Sequence, residues 1–389
     1  DSYGSRGLGD VYKRQGFLVD GIVEDLITEF SMMREFEIIS RQTTVNFKDE
    51  NQDIREFSKK FDLDFIVTGG IRASGKRVRI SIELSDAKDD NIIWSNKYDR
   101  VLEDIFDLQD EIVRKISIAL LGEIEISSLQ RSKRKPTENI SSYEYLLRGK
   151  ENHHKFTKEA CQEALKNFDK AIEADVNNAQ AYAWKCCTLG QAMFRGFSDQ
   201  NAEEIFAEAK QNIDKALELN ENDFECHRML SAVYLSNHDY VLAEDHGRKA
   251  FNMVPNDPRV LSGYGEVLVR TGKVDEGLEL LNKAYELDPI PQGQSSSDNR
   301  VKDLILGYFF AEDYNKVVEL SFDVRVMDPR AIALILYSRS KLKQDLQISN
   351  EYKILKKEFA DTDWPQAVDR FHIQSEDIKK NLLDFIESV

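Results

Sequence analysis

Gly70-Ile71-Arg72-Ala73-Ser74-Gly75-Lys76 has the G-x-x-x-x-G-K spacing with which a glycine-rich loop wraps phosphate oxygens while its lysine neutralises them. The neighbouring residues do not fit that chemistry. Arg77 stands where Ser or Thr would meet magnesium, and the alternation Val78, Ile80, Ile82, Leu84 follows. That is a strand pattern, whereas a phosphate loop opens a helix whose N-terminus faces the anion. A tight hairpin accounts for both glycines. Asp25, Glu29 and the pairs Glu103/Asp104 and Asp110/Glu111 have the residue types of general acid–base couples. No histidine or nucleophile converges on them, so they read as solvated helix faces. His153-His154 lies near Cys161, but adjacent histidines diverge on a helix, and they are expected to be surface residues at a helix end. His227, beside Cys226, is expected to be a packed histidine. Cys161, Cys186, Cys187 and Cys226 lack zinc spacing. Arg131, Lys133, Arg134 and Lys135 read as a solvated linker. No catalytic residue, cofactor site or metal site is expected.

Composition narrows the function classes. With 389 residues the chain is too long for one core. A net charge of −17 argues against nucleic acid as a partner, because phosphate binding needs clustered cations. No apolar run approaches the ~20 residues of a membrane span. Four cysteines without a disulfide pattern suit a reducing compartment. The expected location is cytoplasmic, or periplasmic if a membrane span preceded residue 16.

The elements that would position a site come from a repeat. Leu230, Ser231, Tyr234, Ala243, Ala250 and Pro255 recur in kind around Gly265, Leu268, Gly277, Ala284 and Pro289. Ala250 to Ala284 spans 34 residues, as does Pro255 to Pro289. Small residues let two helices approach, and proline stops the second one. Weaker copies carry Ala164-Phe168-Ala171 and Ala209-Ile213-Ala216, with first helices expected over Ser141–His154 and Ala179–Arg195 and Leu189-Gly190 at a close contact. Extra length falls near Gly196–Asn201 and in residues 289–300. Val317, Val324 and Pro329 mark a fifth, degenerate copy. Helices are expected beyond it over Ala331–Lys343, Ile348–Phe359 and Ser375–Glu387. This period and residue order resemble the tetratricopeptide repeat, a helix-turn-helix unit that must stack to bury its apolar face.

Upstream, the expected order is a helix over Leu18–Met33, a strand over Glu37–Arg41 and a helix over Gln52–Phe61. Strands follow over Phe65–Arg72, Arg77–Ala87 and Ile92–Tyr98, then a long helix from Leu102 to Gln130. The phrases FLVDGIVEDLITEF, FEIISRQTTVNFK and DFIVTGGIRASGKRVRISIELSDAKDDNIIWSNKYDR resemble the TolB-type amino-terminal domain that precedes tetratricopeptide repeats in bacterial signalling proteins. That family opens on a strand of the type IAVLPF, which has no counterpart here. Asp1–Gln15 lacks periodicity, and its VYKRQ ending resembles translated library adapter sequence, so it is expected to be a non-native or disordered leader.

The expected fold is thus an α/β domain with a small mixed sheet, followed by an all-α tetratricopeptide-repeat solenoid. Expected bounds are a leader over 1–15, the α/β domain with its first strand missing over 16–130 and a basic linker over 131–139. About five repeats follow over 140–329, with a degenerate helical cap over 330–389. The resemblance implies a non-catalytic protein-interaction and regulatory module. Its parent would be of the kind whose C-terminal regulatory half follows a class III adenylate or guanylate cyclase domain, or a winged-helix transcriptional regulator. A protein or peptide is the expected partner, on the concave face lined by the first helices. Register places Arg228, Arg259, Ser262, Glu266 and Arg270 there, with the arginines forming a cationic patch suited to an acidic peptide. Oligomeric state is left open.

Overall fold

The computed structural model describes residues 21, 23–33, 36–41, 43–44, 54–74, 77–87, 91–101, 104–121, 139–198, 200–288 and 299–389. The leader, most of the basic linker, the hairpin tips at 75–76 and 88–90, and residues 289–298 lie outside them. The chain divides into two compact units, Asp1–Met33 with Phe47–Asn222, and Arg34–Asn46 with Asp223–Val389.

In the first unit, helix α1 covers residues 23–31 and α2 Ile54–Phe61. Strands β1 (Phe65–Ser74), β2 (Arg77–Asp86) and β3 (Ile92–Val101) form one sheet in the order β1-β2-β3. Both pairings are antiparallel, so among the described residues the sheet is not mixed as expected. Val78, Ile80, Ile82 and Leu84 are buried, as their period of two requires. Ile80 sits opposite the buried Tyr98 of β3. Helix α3 (Ile105–Leu121) packs on β3 and buries Leu108, Ile112 and Ile116.

Two helix hairpins complete this unit. They are α4 (Ile140–His153) with α5 (Lys158–Ala174), and α6 (Ala179–Phe194) with α7 (Ala202–Leu219). Asn139, Thr157, Asn178 and Asn201 cap their starts by accepting from backbone N–H groups. Ala164, Phe168, Ala171, Ile213 and Ala216 are fully buried, as the repeat register requires. Gly190 departs from that register. A Cβ there would meet nothing within 4 Å, so it is not a close-contact position. The tight contact in the first hairpin is instead Gly149 against the ring of Phe168.

The second unit continues with α8 (Phe224–Ser236), α9 (Tyr240–Met253), α10 (Pro258–Arg270), α11 (Val274–Leu287) and α12 (Asn299–Phe310). Helix α13 (Tyr314–Leu320) runs into a 3-10 turn over Ser321–Asp323, which shortens the second helix of the fifth repeat. Then come α14 (Pro329–Lys341), α15 (Asn350–Glu358), α16 (Trp364–Asp369) and α17 (Glu376–Ser388). The short α16 was not expected. Its six residues are too few for a periodic pattern to register. Ala243, Ala250 and Ala284 are buried at the hairpin contacts. At α10–α11 two backbones meet, for a Cβ on Gly265 would lie 2.9 Å from the carbonyl oxygen of Gly277, and one on Gly277 2.7 Å from that of Gly265.

The expected strand over Glu37–Arg41 is not a strand. Residues 36–40 carry no regular structure, and Phe36 and Ser40 are bonded by residues at and between helix ends of the same unit. Ser40 N–H donates to the carbonyl of Leu287 at 2.9 Å, one of the last carbonyls of α11, which lack an intrahelical partner. The Ser40 hydroxyl donates to Asp288, and Asn256 Nδ2 to the carbonyl of Phe36 at 2.6 Å. The segment is held as a strap because the Leu287 carbonyl and the Asp288 and Asn256 side chains take bonds that a strand neighbour would have taken.

One turn recurs through both units. Gly196, His238, Gly272, Glu312 and Lys343 all have positive φ at the end of a helix. In each case the next residue's N–H reaches back five positions, as in Lys273 to Leu268 at 2.9 Å and Asp313 to Tyr308 at 3.0 Å. This bond closes the helix end and sends the chain back antiparallel. A left-handed backbone disfavours side-chain-bearing residues by about 1–2 kcal/mol, against about 0.5–1 kcal/mol for the extra freedom glycine loses. Glu312→Gly is therefore expected to raise stability by about 0.5–1 kcal/mol and Gly272→Ala to lower it by about 1 kcal/mol. Urea unfolding checks both, and equal midpoints would refute the turn assignment.

Candidate functional site

In the second unit the first helices of successive hairpins lie against each other, α8 on α10, α10 on α12 and α12 on α14. This is the side on which register placed the candidate residues. Their charges are not arranged as expected. Arg228 Nη2 lies 2.7 Å from Glu225 Oε2, and Arg259 Nη1 2.9 Å from Glu225 Oε1. Arg259 also meets Asp257 at 2.6 Å, and Arg270 Nη1 meets Glu266 at 2.5 Å. The three guanidinium groups thus face Glu225, Asp257 and Glu266, and the patch is charge-balanced rather than cationic. Part of this was legible, because Glu225–Arg228 and Glu266–Arg270 are helical i,i+3 and i,i+4 pairs.

Access differs among the five. Arg228 and Arg259 keep side-chain exposures of 18% and 29%, while that of Arg270 is 3%. Ser262 is buried and donates to Asp303 Oδ2 at 2.7 Å. Arg330 of α14 reaches both Glu266 at 3.5 Å and Asp303 at 3.6 Å. Ser262, Glu266 and Arg270 therefore belong to a buried cluster that ties α10, α12 and α14 together. Asp303 has a local partner in Arg300, 3.5 Å away at i,i+3, but the pairing of Asp303 and Glu266 with Arg330 joins residues far apart in sequence.

The two carboxylates of this cluster are unlike. Burial first, then the neighbouring Glu266, pushes the Asp303 carboxyl up to about 8. Burial opposes ionisation of Glu266 as well, but Arg270 and Arg330 outweigh it and hold that carboxyl below its usual range. One member thus takes up the proton so that the other can stay charged.

Other sequence candidates resolve into packing. His153 is buried, not at the surface, with Nδ1 2.9 Å from Thr188 Oγ1 and its ring edge-on to Trp184. His227 is packed as expected, its Nδ1 2.8 Å from that of His246. Burial and His227 lower His246 to about 4. Asp25 is not on a solvated face. It accepts from the Tyr143 hydroxyl at 2.7 Å and Gln109 Nε2 at 3.1 Å, joining α1 to α3 and α4. Burial raises its carboxyl against the pull of Lys150. Cys161, Cys186 and Cys226 are buried. Among the described residues no three His, Cys, Asp or Glu side chains gather as metal ligands, and no helix is long and apolar enough to cross a membrane. Lys76 and the basic run at 131–135 lie outside the described residues.

The cluster gives two substitutions of different cost. Asp303→Asn keeps the shape of a group already pushed toward its neutral form, and is expected to cost under about 1 kcal/mol. Glu266→Gln removes the charge that Arg270 and Arg330 share at a largely buried site and is expected to cost about 2 kcal/mol. Equal losses in urea unfolding at pH 7 would contradict the assignment of the proton to Asp303.

Comparison with known proteins finds similarity to a regulator family, to longer bacterial proteins and to solved tetratricopeptide structures. Residues 12–119 match the family model described as HilA/YgeH-like transcriptional regulator, second domain. That is a different name from the TolB-type domain expected there, and the match begins inside the stretch set aside as a leader. The putative adenylate cyclase 3 of Rhizobium meliloti is 30% identical over 169 residues, which are 43% of this chain and 29% of that protein. The transcriptional regulator HilA of Salmonella typhimurium is 23% identical over 239 residues, 61% of this chain and 42% of its own length. The chain thus spans less than half of either relative. YrrB, whose crystal structure is described as a TPR protein with an unusual peptide-binding site, is 21% identical with a TM-score of 0.33, covering 54% of this chain and 96% of YrrB. The helix hairpins and their buried small residues give the fold, a small antiparallel sheet followed by tetratricopeptide-type hairpins.

Proposed function

We propose that the chain is a non-catalytic protein-interaction and regulatory module of a bacterial signalling protein, and that it takes a peptide on the side where α8, α10, α12 and α14 adjoin. The observation carrying this reading is Glu225, which holds Arg228 of α8 and Arg259 of α10 at once. Two arginines are thereby pre-positioned on neighbouring first helices, with their heads partly accessible. A peptide carboxylate would exchange places with Glu225 in paired hydrogen bonds, which suits guanidinium geometry better than ammonium. Ser262, Glu266 and Arg270 then act beneath, keeping the helices in register.

The similarity pattern supports a reused module. A protein named as an adenylate cyclase and one named as a transcriptional regulator each match part of this chain over part of their own length. On this reading the chain is the shared regulatory portion, with the bounds 16–130, 140–329 and 330–389, located in the cytoplasm. The HilA matches favour, as the second reading, the sensory part of a winged-helix regulator. The cyclase match favours the regulatory part of a cyclase. The TolB-type name for residues 16–130 remains part of this proposal.

Random dodecapeptides selected on the chain and measured by fluorescence polarisation test the reading. Losing a charge-assisted hydrogen bond costs about 1.5–3 kcal/mol, so Arg228→Gln with Arg259→Gln is expected to weaken the selected peptides at least about ten-fold. Unchanged affinity in a variant with normal circular dichroism would move the site elsewhere. The same preparation is expected to form neither cyclic nucleotide nor phosphate from ATP or GTP. Turnover abolished by Lys76→Ala would overturn the non-catalytic half of the proposal.

A further inference from the structure

In a pure helical array each repeat touches only its neighbours in sequence. The segment after α16 breaks that rule. Arg270 Nε at the end of α10 donates to the carbonyl of Phe371 at 2.9 Å, and Gln374 N–H points back to the carbonyl of Arg270 at 3.4 Å. Farther back still, His238 in the α8–α9 turn lies 3.6 Å from Asp369, and its ring centroid is 5.2 Å from that of His372. On the segment's side the contacts at Arg270 are made through main-chain groups, just after a turn in which Phe371 N–H reaches the carbonyl of Val368 and His372 N–H that of Asp369. Phe371 and Ile373 are buried on either side of His372.

We propose that Asp369–Gln374 is a releasable strap over the groove-facing end of α10, and that acidification lifts it by charging His372, whose ring meets that of His238 across the contact. The groove half of this rests on the function proposed above. The release half does not.

The geometry explains why protons act here. His238 and His372 both have left-handed backbones, at φ 58° and 52°, which side-chain-bearing residues seldom adopt unless held by their surroundings. The Nδ1 of His372 is buried without a hydrogen-bond partner. Arg270 and Glu266 face this ring from α10, His238 from the α8–α9 turn and Asp369 from α16. Lys379 of α17 bridges Asp369 and Glu376, so that side of the contact already holds an ammonium group. Burial, then Arg270 and His238, lowers His372 to about 4 against an ordinary 6.5. The sign follows. A lifted strap binds a proton near pH 6.5 that the docked strap refuses until about pH 4. Docking is therefore undiminished above pH 6.5 and weakens as pH falls through that window.

Native-state hydrogen exchange on the full chain, without any peptide, tests this. After correction for intrinsic exchange, protection of residues 371–379 is expected to fall about ten-fold per pH unit between pH 6.5 and 4.5. Protection of Leu304–Leu306 in α12 should hold. His372→Gln, which cannot take the proton, should flatten the dependence, and His238→Gln should make it shallower. Three results would overturn the proposal: protection of 371–379 unchanged with pH, the same slope in His372→Gln, or loss at α12 in parallel. Because no ligand is present, failure here leaves peptide binding at Arg228 and Arg259 standing, and failure of peptide binding leaves the strap standing.

Discussion

Two helices of a hairpin can share a core only as deep as their backbones can approach, and in this chain that approach is set by side chains that are missing. Between α10 and α11 nothing stands between the carbonyl of one glycine and the Cα of the other. Around that contact Val269, Leu281, Ala284 and Leu287 close into the interior. The same constraint appears with a different solution in α8–α9, where the Ser231 hydroxyl donates to the carbonyl of Ala243 at 2.7 Å. Serine there is small enough for the approach and satisfies a backbone oxygen besides. Fixing this distance fixes which residues of each first helix face its neighbours, and so where any binding face can lie.

The second organising feature is electrostatic. A helix side lined with arginines and carboxylates is costly to bury, and desolvation can exceed the attraction gained. Here the cost is lowered by uneven titration, Asp303 being pushed toward its neutral form while Glu266 is held charged between two guanidinium groups. Such a cluster contributes little net stability compared with an apolar core of the same volume. Its effect is to align α10, α12 and α14 through bonds that are lost on a one-residue slip. The partly exposed Arg228 and Arg259 repeat the arrangement around Glu225.

What the sequence disclosed follows from the range of each interaction. The repeat hairpins, the alternating β2 and the buried Ala243, Ala250 and Ala284 depend on spacings within one element or one period. Those were legible. The pairings of Glu225 with Arg228 and Glu266 with Arg270 were legible too, being one helical turn apart, yet reading the arginines alone gave a cationic patch. Asp25 was hidden for a different reason, since its partner Tyr143 lies 118 positions away. The segment 36–40 is bound by the Leu287 carbonyl and the Asp288 and Asn256 side chains, which no local pattern announces. Gly190 shows the converse limit. A glycine beside a buried leucine matched the motif, but the facing helix does not come close there.

The central claim, that missing side chains at particular positions set the helix approach, is tested by giving two glycines the same methyl group. Ala at position 277 would put its Cβ 2.7 Å from the carbonyl oxygen of Gly265, so Gly277→Ala is expected to lower stability by about 1–3 kcal/mol through overpacking. Gly190→Ala meets no atom within 4 Å and lies inside a helix, so it is expected to raise stability by about 0.5–1 kcal/mol. Urea midpoints of the two variants moving in opposite directions is the outcome the account requires. A shift of the same sign and size in both would contradict it.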